Sequence, residues 1–253
     1  MQFEMFLALL FALIAFVYAS VGFGGGSSYL ALLAVVGIGY PDIRLIALCC
    51  NVIVVSGNIV LFLKRKEINW KKNLILVAAS MPLAFLGAIL RIKEVTFFIL
   101  LGISLLLAAI LLWIQSTNIS TRKRTYTVSN PGIDGAFGAG VGFLSGLVGI
   151  GGGIFLSPLL HLLHWDTSRK IAATASFFIF INSLAGITGQ IIQFSGNFNW
   201  ELTGILCLAV FVGGQAGAHF SLKFFKPHAI RRVTAILVLI AGIEILWKQI
   251  IFE

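Results

Sequence analysis

Charged residues are scarce in this chain of 253 residues, where they make up 11% of the sequence against 59% for apolar residues. A soluble globule of this size needs more polar side chains to cover its surface. The mean hydropathy is +1.03, so a lipid bilayer has to supply the solvent for the apolar surface. The composition therefore excludes an ordinary soluble domain and predicts several membrane spans.

Cysteine, histidine and acidic residues are also few, at 3, 4 and 9 residues. Cys49 and Cys50 are adjacent in one apolar segment and Cys207 lies in another, a spacing that fits neither a disulfide framework nor a zinc site. The sequence has no Gly-x-Ser-x-Gly elbow, no HExxH and no Walker lysine after its glycine clusters. We therefore expect no enzyme, no metal site and no cofactor.

The formal net charge of +9 would suggest nucleic-acid binding in a soluble protein, but the basic residues cluster in short loops between apolar segments. Cytoplasmic loops of membrane proteins accumulate Lys and Arg, so topology explains these charges without nucleic acid. An odd number of crossings in each half puts most of the basic residues on one side, with both termini on the other. The other side keeps Arg44, Arg91, Lys93 and Lys248. This distribution predicts cytoplasmic basic loops and external termini.

The chain contains an internal repeat. Residues 21–26 (VGFGGG) and 148–153 (VGIGGG) match at all positions but one. Further landmarks recur in the same order: Arg44 with Arg169, Asn69-Trp70 with Asn199-Trp200, and Gly87 with Gly217. The polar stretch between the copies predicts an N-terminal membrane repeat over 1–114, a linker over 115–133 and a C-terminal membrane repeat over 134–253.

Five apolar segments are predicted in each half, which makes the fold all-α. They cover residues 3–21, 27–39, 44–63, 73–90 and 95–114, then 134–148, 154–164, 170–193, 201–221 and 231–251. The second segment of each half is too short for a full crossing at about 1.5 Å per residue. We therefore expect these two segments to be re-entrant or broken helices with glycines at their tips.

An odd number of crossings per half also sets the relation between the halves. The second half then enters the membrane from the opposite side, so the halves form inverted-topology repeats about an axis in the membrane plane. In this arrangement the two glycine clusters approach the membrane centre from opposite faces.

The glycine clusters are the candidate binding site. Consecutive glycines relax the limits on backbone torsion, so several amides can point into one concavity, and a helix that starts after each cluster favours an anion. The alternative is close helix packing alone, as expected for the small-residue stripe Gly135, Ala139, Gly142 and Gly146. The candidate binding residues combine these glycines with nearby polar side chains. They are Gly24, Gly25, Gly26, Ser27, Cys50, Asn51, Gly151, Gly152, Gly153, Ser157, Thr174 and Ser176.

Four ionisable residues in or beside the apolar segments are candidates for a role in transport. Arg44 and Arg169 begin equivalent spans, where they attract anions at the two mouths or serve as boundary anchors. Glu244 and His219 are the main candidates for proton transfer, with an interface position as the alternative for each.

The duplicated Gly-x-Gly-Gly-Gly, Ser157-Pro158-Leu159-Leu160 after the second copy, and the pattern around Ala172 to Ser176 resemble the sulfite exporter TauE/SafE family. The resemblance covers nearly the whole chain. It implies a secondary transporter in a prokaryotic inner membrane that handles sulfite, thiosulfate or organosulfonates. The sequence departs from the family pattern at 27–29 (SSY), where a proline-containing stretch is usual, and at 49–51 (CCN), where threonine and serine are more usual.

We therefore predict a transporter of a small sulfur-containing anion, with protons as a candidate coupling ion and rocking of the two halves as the route to alternating access. Two other functions remain open. One is a non-transporting membrane scaffold or assembly protein whose glycines serve packing, and the other is an anion channel.

Overall fold

The computed structural model describes residues 2–117, 130–193, 198–220 and 227–251. Within these ranges the regular structure consists of ten α-helices, five in each half of the chain. They are α1 Gln2–Ala19, α2 Gly26–Val35, α3 Tyr40–Lys64, α4 Trp70–Ile89, α5 Glu94–Thr117, α6 Pro131–Val148, α7 Gly153–Leu162, α8 Ser168–Gln193, α9 Trp200–Phe220 and α10 Pro227–Ile251.

Each predicted apolar segment corresponds to one helix, and the all-α prediction is confirmed. Six helices among the described residues are long and apolar enough to cross a membrane: those within α1, α3, α4, α5, α8 and α9. The two short helices, α2 and α7, have ten residues each. At about 1.5 Å per residue this length covers only about half of a hydrocarbon core.

The predicted linker over 115–133 is partly helical at both ends. Helix α5 continues to Thr117, and α6 begins at Pro131 after an N-cap at Asn130, whose side chain accepts a hydrogen bond from the Gly132 amide. The rest of that linker, residues 118–129, and the basic residues Lys223 and Lys226 lie outside the described residues.

Large apolar side chains cover the outer faces of several helices. On α9, Leu208 and Val212 are 69% and 66% exposed, and on α1 Met5 is 67% exposed. A surface of this kind is unstable in water and stable against lipid tails. The chain is therefore a multi-pass membrane protein.

Helix α1 packs along α9, which belongs to the other half of the chain. A methyl group on Gly213 would collide with the Ala12 carbonyl, and one on Gly217 with the Phe16 carbonyl. Since both residue numbers rise together, the two helices run in the same direction. The missing side chains let the two backbones approach closely, as small residues do in membrane helix pairs.

Helices α4 and α6 make the equivalent pair. Gly142 of α6 lies against Ser80 of α4, and Gly146 lies against Ala84, again in rising order. The small-residue stripe of the sixth segment therefore faces α4. A Cβ added to Gly135, the first member of the stripe, would lie 4.0 Å from Ala79 Cβ.

Two further contacts join helices that run antiparallel. Leu48 of α3 lies against Gly186 of α8, while Glu67, just after α3, pairs with Arg169 at the start of α8. Helices α5 and α10 also pack antiparallel, with Gly102 against Leu246.

These pairings exchange helices between the halves. We define the first bundle as α1, α2, α3, α9 and α10, and the second bundle as α6, α7, α8, α4 and α5. In each bundle three helices pack on the short helix, and the fifth packs on two of those three. The bundles meet along α3 with α8 and along α5 with α10. The sequence halves are thus not the packed units of the protein.

Candidate functional site

Two glycine loops connect the first and second helix of each half. The first loop, residues 20–25, joins α1 to α2, and the second loop, residues 149–152, joins α6 to α7. Five glycines in them have positive φ: Gly22, Gly25, Gly149, Gly151 and Gly152, at +79° to +91°. Other residues adopt this left-handed conformation only with strain, so the glycine clusters make both turns possible.

Each short helix begins at the last glycine of its cluster. The amides of Ser28 and Tyr29 return to the Gly25 carbonyl, and those of Phe155 and Leu156 return to the Gly152 carbonyl. Neither N-cap glycine provides a side-chain cap. The first amides of α2 and α7 therefore point out of the helix ends without intrahelical partners, as at any helix N-terminus.

The amides of both triplets, 24–26 and 151–153, are buried and donate to no acceptor within the described part of the chain. Buried backbone N–H groups require a partner, which here has to come from water or from a bound group with acceptor atoms. Two positive helix ends lie behind these amides. Donors of this kind suit an acceptor group with negative charge.

Asn51 of α3 joins the two loops. Its Nδ2 donates a hydrogen bond of 3.0 Å to the Ile150 carbonyl of the second loop. The same side chain fills the space beside Gly24 and Gly26, where an added methyl group would collide with it, and it lies next to Gly151. The structure therefore brings four predicted glycine and asparagine positions into direct contact at one point.

Ser176 of α8, in the second half of the chain, makes the equivalent contact with the first loop. Its hydroxyl lies 2.7 Å from the Gly22 carbonyl of the first loop and 3.0 Å from the Ala172 carbonyl of its own helix. Asn51 and Ser176 occupy equivalent positions in the repeat, so the third helix of each half holds the glycine loop of the other half.

Comparison with known proteins decides the family. The model of the sulfite exporter TauE/SafE family matches residues 7–245. The chain belongs to this family. As a TauE/SafE protein it is a membrane transporter rather than an enzyme.

Three curated relatives agree with this assignment. The probable membrane transporter protein y4hK of Sinorhizobium fredii is 30% identical over 249 residues, covering 95% of this chain and 97% of the relative. The probable membrane transporter protein YunE of Bacillus subtilis is 28% identical and covers 75% of this chain and 74% of its own length. The probable membrane transporter protein MJ0441 of Methanocaldococcus jannaschii is 26% identical, with 90% and 92% covered. No solved structure matches.

Three other predicted site residues of this TauE/SafE protein are buried polar side chains with other surroundings. Ser27 is 3.4 Å from the Tyr18 hydroxyl, which is closer to Ser28, at 2.7 Å. Ser157 and Thr174 are both buried, and neither is among the side chains that crowd the loop glycines. The Thr174 hydroxyl has no hydrogen-bond partner among the described residues.

Cys50, another predicted site residue, is buried. Its thiol neighbours Cys207 of α9, and the ring of Tyr29 lies near both. Adjacent positions on a helix point about 100° apart. Asn51 lies at the point where the loops meet, and Cys50 lies beside Cys207 and Tyr29.

Two serines at the site were missed by the sequence analysis. A Cβ added to Gly152 would lie 3.3 Å from the Ser145 hydroxyl, and one added to Gly151 would lie 3.0 Å from the Ser183 hydroxyl. Both hydroxyls are buried and have no hydrogen-bond partner among the described residues. The repeat carries a signal for them, because their equivalents in the first half, Tyr18 and Asn58, are also polar and buried.

The candidates for proton transfer occupy peripheral positions. His219 is exposed near the end of α9, and its Nδ1 lies 2.8 Å from the Gln215 carbonyl. Glu244 of α10 lines an apolar cavity of about 390 Å³ between α1, α2 and α10. Neither residue lies among the neighbours of the loop glycines.

Proposed function

We propose that this TauE/SafE protein is a secondary transporter that moves a sulfur-containing anion, namely sulfite, thiosulfate or an organosulfonate, across the inner membrane by alternating access. The observation that carries the proposal is the meeting of two glycine loops at Asn51, each with buried amides that donate to no acceptor among the described residues.

The chemistry of these donors suits such an anion. Several amides can share a tetrahedral or pyramidal oxyanion, and the N-terminal ends of α2 and α7 add partial positive charge. Amides carry no full charge, so they bind an anion without holding it too tightly for release. The proposed site consists of the two glycine triplets with Ser27, Cys50, Asn51, Ser157, Thr174 and Ser176, of which the triplets and Asn51 make the strongest case.

The arrangement of helices supports inverted-topology repeats. Equivalent helices α3 and α8 run antiparallel, and the α1 and α9 pair is matched by the α6 and α4 pair. A two-fold axis in the membrane plane would relate the halves and bring the loops to the membrane centre from opposite faces. Because α4 and α9 pack on the opposite half, the units that rock are the two bundles rather than residues 1–114 against residues 134–253.

The ion pairs at the helix ends support the proposed orientation. Lys72 at the start of α4 lies 3.9 Å from Asp166 and donates to the Trp165 carbonyl, while Arg169 lies 3.9 Å from Glu67. The basic loop after α3 and the basic start of α8 are therefore on the same side of the molecule. By the charge rule this is the cytoplasmic side, which leaves the termini outside.

Uptake into proteoliposomes tests the function. The purified protein is reconstituted, and entry of radiolabelled sulfite, thiosulfate and methanesulfonate is followed under a pH gradient and under a membrane potential, with protein-free liposomes as the control. A carrier should show saturable uptake that is accelerated by unlabelled anion on the opposite side.

Two other outcomes would contradict the proposal. Uptake that does not saturate and is not accelerated by anion on the far side indicates a channel. No uptake of any of the three anions under either gradient, with protein that remains folded, indicates a scaffold.

A further inference from the structure

The guanidinium of Arg44 is buried inside the membrane-spanning part of the molecule. The residue is 1% exposed and lies one turn into α3. Its Nη2 donates to the Gly146 carbonyl at 2.9 Å, and its Nη1 donates to the Tyr40 hydroxyl at 3.2 Å. The rings of Tyr40 and Phe97 lie 5.9 and 5.7 Å from its Cζ. Its Nε has no partner among the described residues.

No carboxylate of the described residues pairs with this guanidinium. Three ion pairs lie at the basic side of the molecule, where Asp166 pairs with Lys72 and Lys170, and Glu67 with Arg169. Arginine stays protonated even when buried, and a buried charge without a counter-charge costs several kcal/mol. The carbonyl at the end of α6 and the two aromatic rings offset part of this cost. The interior therefore retains a positive charge.

Arg44 lies against the second glycine loop. A Cβ added to Gly149, the first residue of that loop, would lie 3.3 Å from Arg44 Cβ. The unpartnered hydroxyls of Ser145 and Ser183 lie beside Gly152 and Gly151 of the same loop. The stem of a buried arginine and two buried hydroxyls thus border the loop whose amides have no acceptor among the described residues, and the guanidinium reaches the Gly146 carbonyl, three residues before that loop.

The first loop is built differently. The hydroxyls of Tyr18 and Ser28 near it bond to each other at 2.7 Å, while the Tyr29 hydroxyl beside Gly25 has no hydrogen-bond partner among the described residues. Arg169, which is equivalent to Arg44 in the repeat, has a side chain that is 77% exposed and pairs with Glu67. The two loops therefore have similar backbones but unequal surroundings, and only the second has a buried charge beside it among the described residues.

We propose that Arg44 supplies the fixed positive charge for an oxyanion bound at the second glycine loop, where the amides of Gly151 and Gly152 and the hydroxyls of Ser145 and Ser183 are the hydrogen-bond donors. This inference rests on the proposed function and adds two features to it. The site is asymmetric, and the charge of the anion is balanced by a side chain and not by helix dipoles alone.

Anion binding to the purified full-length protein tests this assignment. Titration calorimetry with sodium sulfite and sodium thiosulfate is carried out on the wild type, Arg44→Met, Arg44→Lys and the matched control Arg169→Met. We expect Arg44→Met to weaken binding about tenfold or more, as loss of a charge-assisted hydrogen bond does. Arg44→Lys should retain most of the affinity, and Arg169→Met should bind like the wild type.

Thermal unfolding without anion separates this role from a purely structural one. If Arg44→Met has a lower unfolding temperature but wild-type affinity, Arg44 only caps the end of α6 and the proposal is wrong. If the wild type itself binds neither anion, the proposed function fails, and the role of Arg44 fails with it.

A third variant decides the question if Arg44→Met does not fold. Arg44→His makes the charge titratable, so its affinity relative to the wild type should fall as the pH rises from about 5.5 to 8. Because the anion changes its own ionisation equally in both measurements, the ratio of the variant's affinity to the wild-type affinity reports only the charge at position 44. A ratio that stays constant over this range overturns the proposal.

Discussion

Asn51 allows the sharpest test of the site, because two substitutions there remove the same hydrogen bond but differ in charge. Asn51→Leu and Asn51→Asp both lose the donor that bonds to the Ile150 carbonyl at 3.0 Å. Losing one such bond in a buried place costs about 1 to 3 kcal/mol. Both variants should therefore be less stable than the wild type, and the aspartate variant more so once it is ionised, because a buried charge without a partner adds a cost of its own.

Only the aspartate adds a negative charge beside the loop amides. An anion held by these amides would lie on the order of 6 Å from the new carboxylate, and two like charges at that distance repel by about 3 kcal/mol at an effective dielectric constant of about 20. This energy corresponds to roughly a hundredfold loss of affinity. Asn51→Leu places no such charge there and should retain far more of the affinity.

The assay is the KM for uptake of labelled thiosulfate into proteoliposomes, measured for both variants between pH 6 and 9. We expect the buried carboxyl of the aspartate variant to ionise within this range. Its KM should then rise well above the KM of the leucine variant. If the two KM values agree at every pH, no anion binds near Asn51, and the site is placed incorrectly.

Two further predictions concern packing and motion. Gly146→Ala should destabilise the protein by about 1 to 3 kcal/mol in thermal unfolding, because its methyl group would collide with the backbone of α4. In a background without native cysteines, a disulfide between Leu48→Cys and Gly186→Cys joins the two bundles and should abolish uptake until it is reduced. A disulfide between Val54→Cys and Gly214→Cys lies within the first bundle and should leave uptake unchanged.

Each of these two predictions has a matched control variant of the same protein. Gly204 has no atom within 4 Å of an added Cβ, so Gly204→Ala should be neutral or slightly stabilising in the same unfolding experiment. The two cysteine pairs are matched, since each replaces an aliphatic residue and a glycine that lies against it. A Cβ added to Gly186 would lie 3.0 Å from Leu48 Cδ1, and one added to Gly214 would lie 3.3 Å from Val54 Cγ1. Equal inhibition by both disulfides would contradict motion between the bundles.

Helix number was predictable because hydropathy is a local property of the chain. The two short helices are an example. Glycine triplets end the preceding segment in each half, and the apolar segments that follow were predicted as 27–39 and 154–164, so the presence of α2 and α7 follows from the sequence, although α2 ends at Val35, four residues earlier than predicted. The membrane character follows from composition in the same way.

The site was predictable in part, through the repeat. The glycine clusters and the pair Asn51 and Ser176 share equivalent positions, and the structure brings both side chains to the opposite loop. Ser145 and Ser183 were missed because a serine in an apolar helix carries no local signal of direction.

The sequence by itself determined a membrane protein of ten helical segments in two related halves, since apolar length and internal similarity are properties of the chain alone. The tertiary structure decided which helices pack together and which polar groups are buried. Helices α4 and α9 pack on the opposite half because glycines let their backbones approach α6 and α1, a match between distant surfaces. The same long-range packing buries Arg44 and leaves its equivalent Arg169 exposed, so it separates two arginines that the sequence presents as the same.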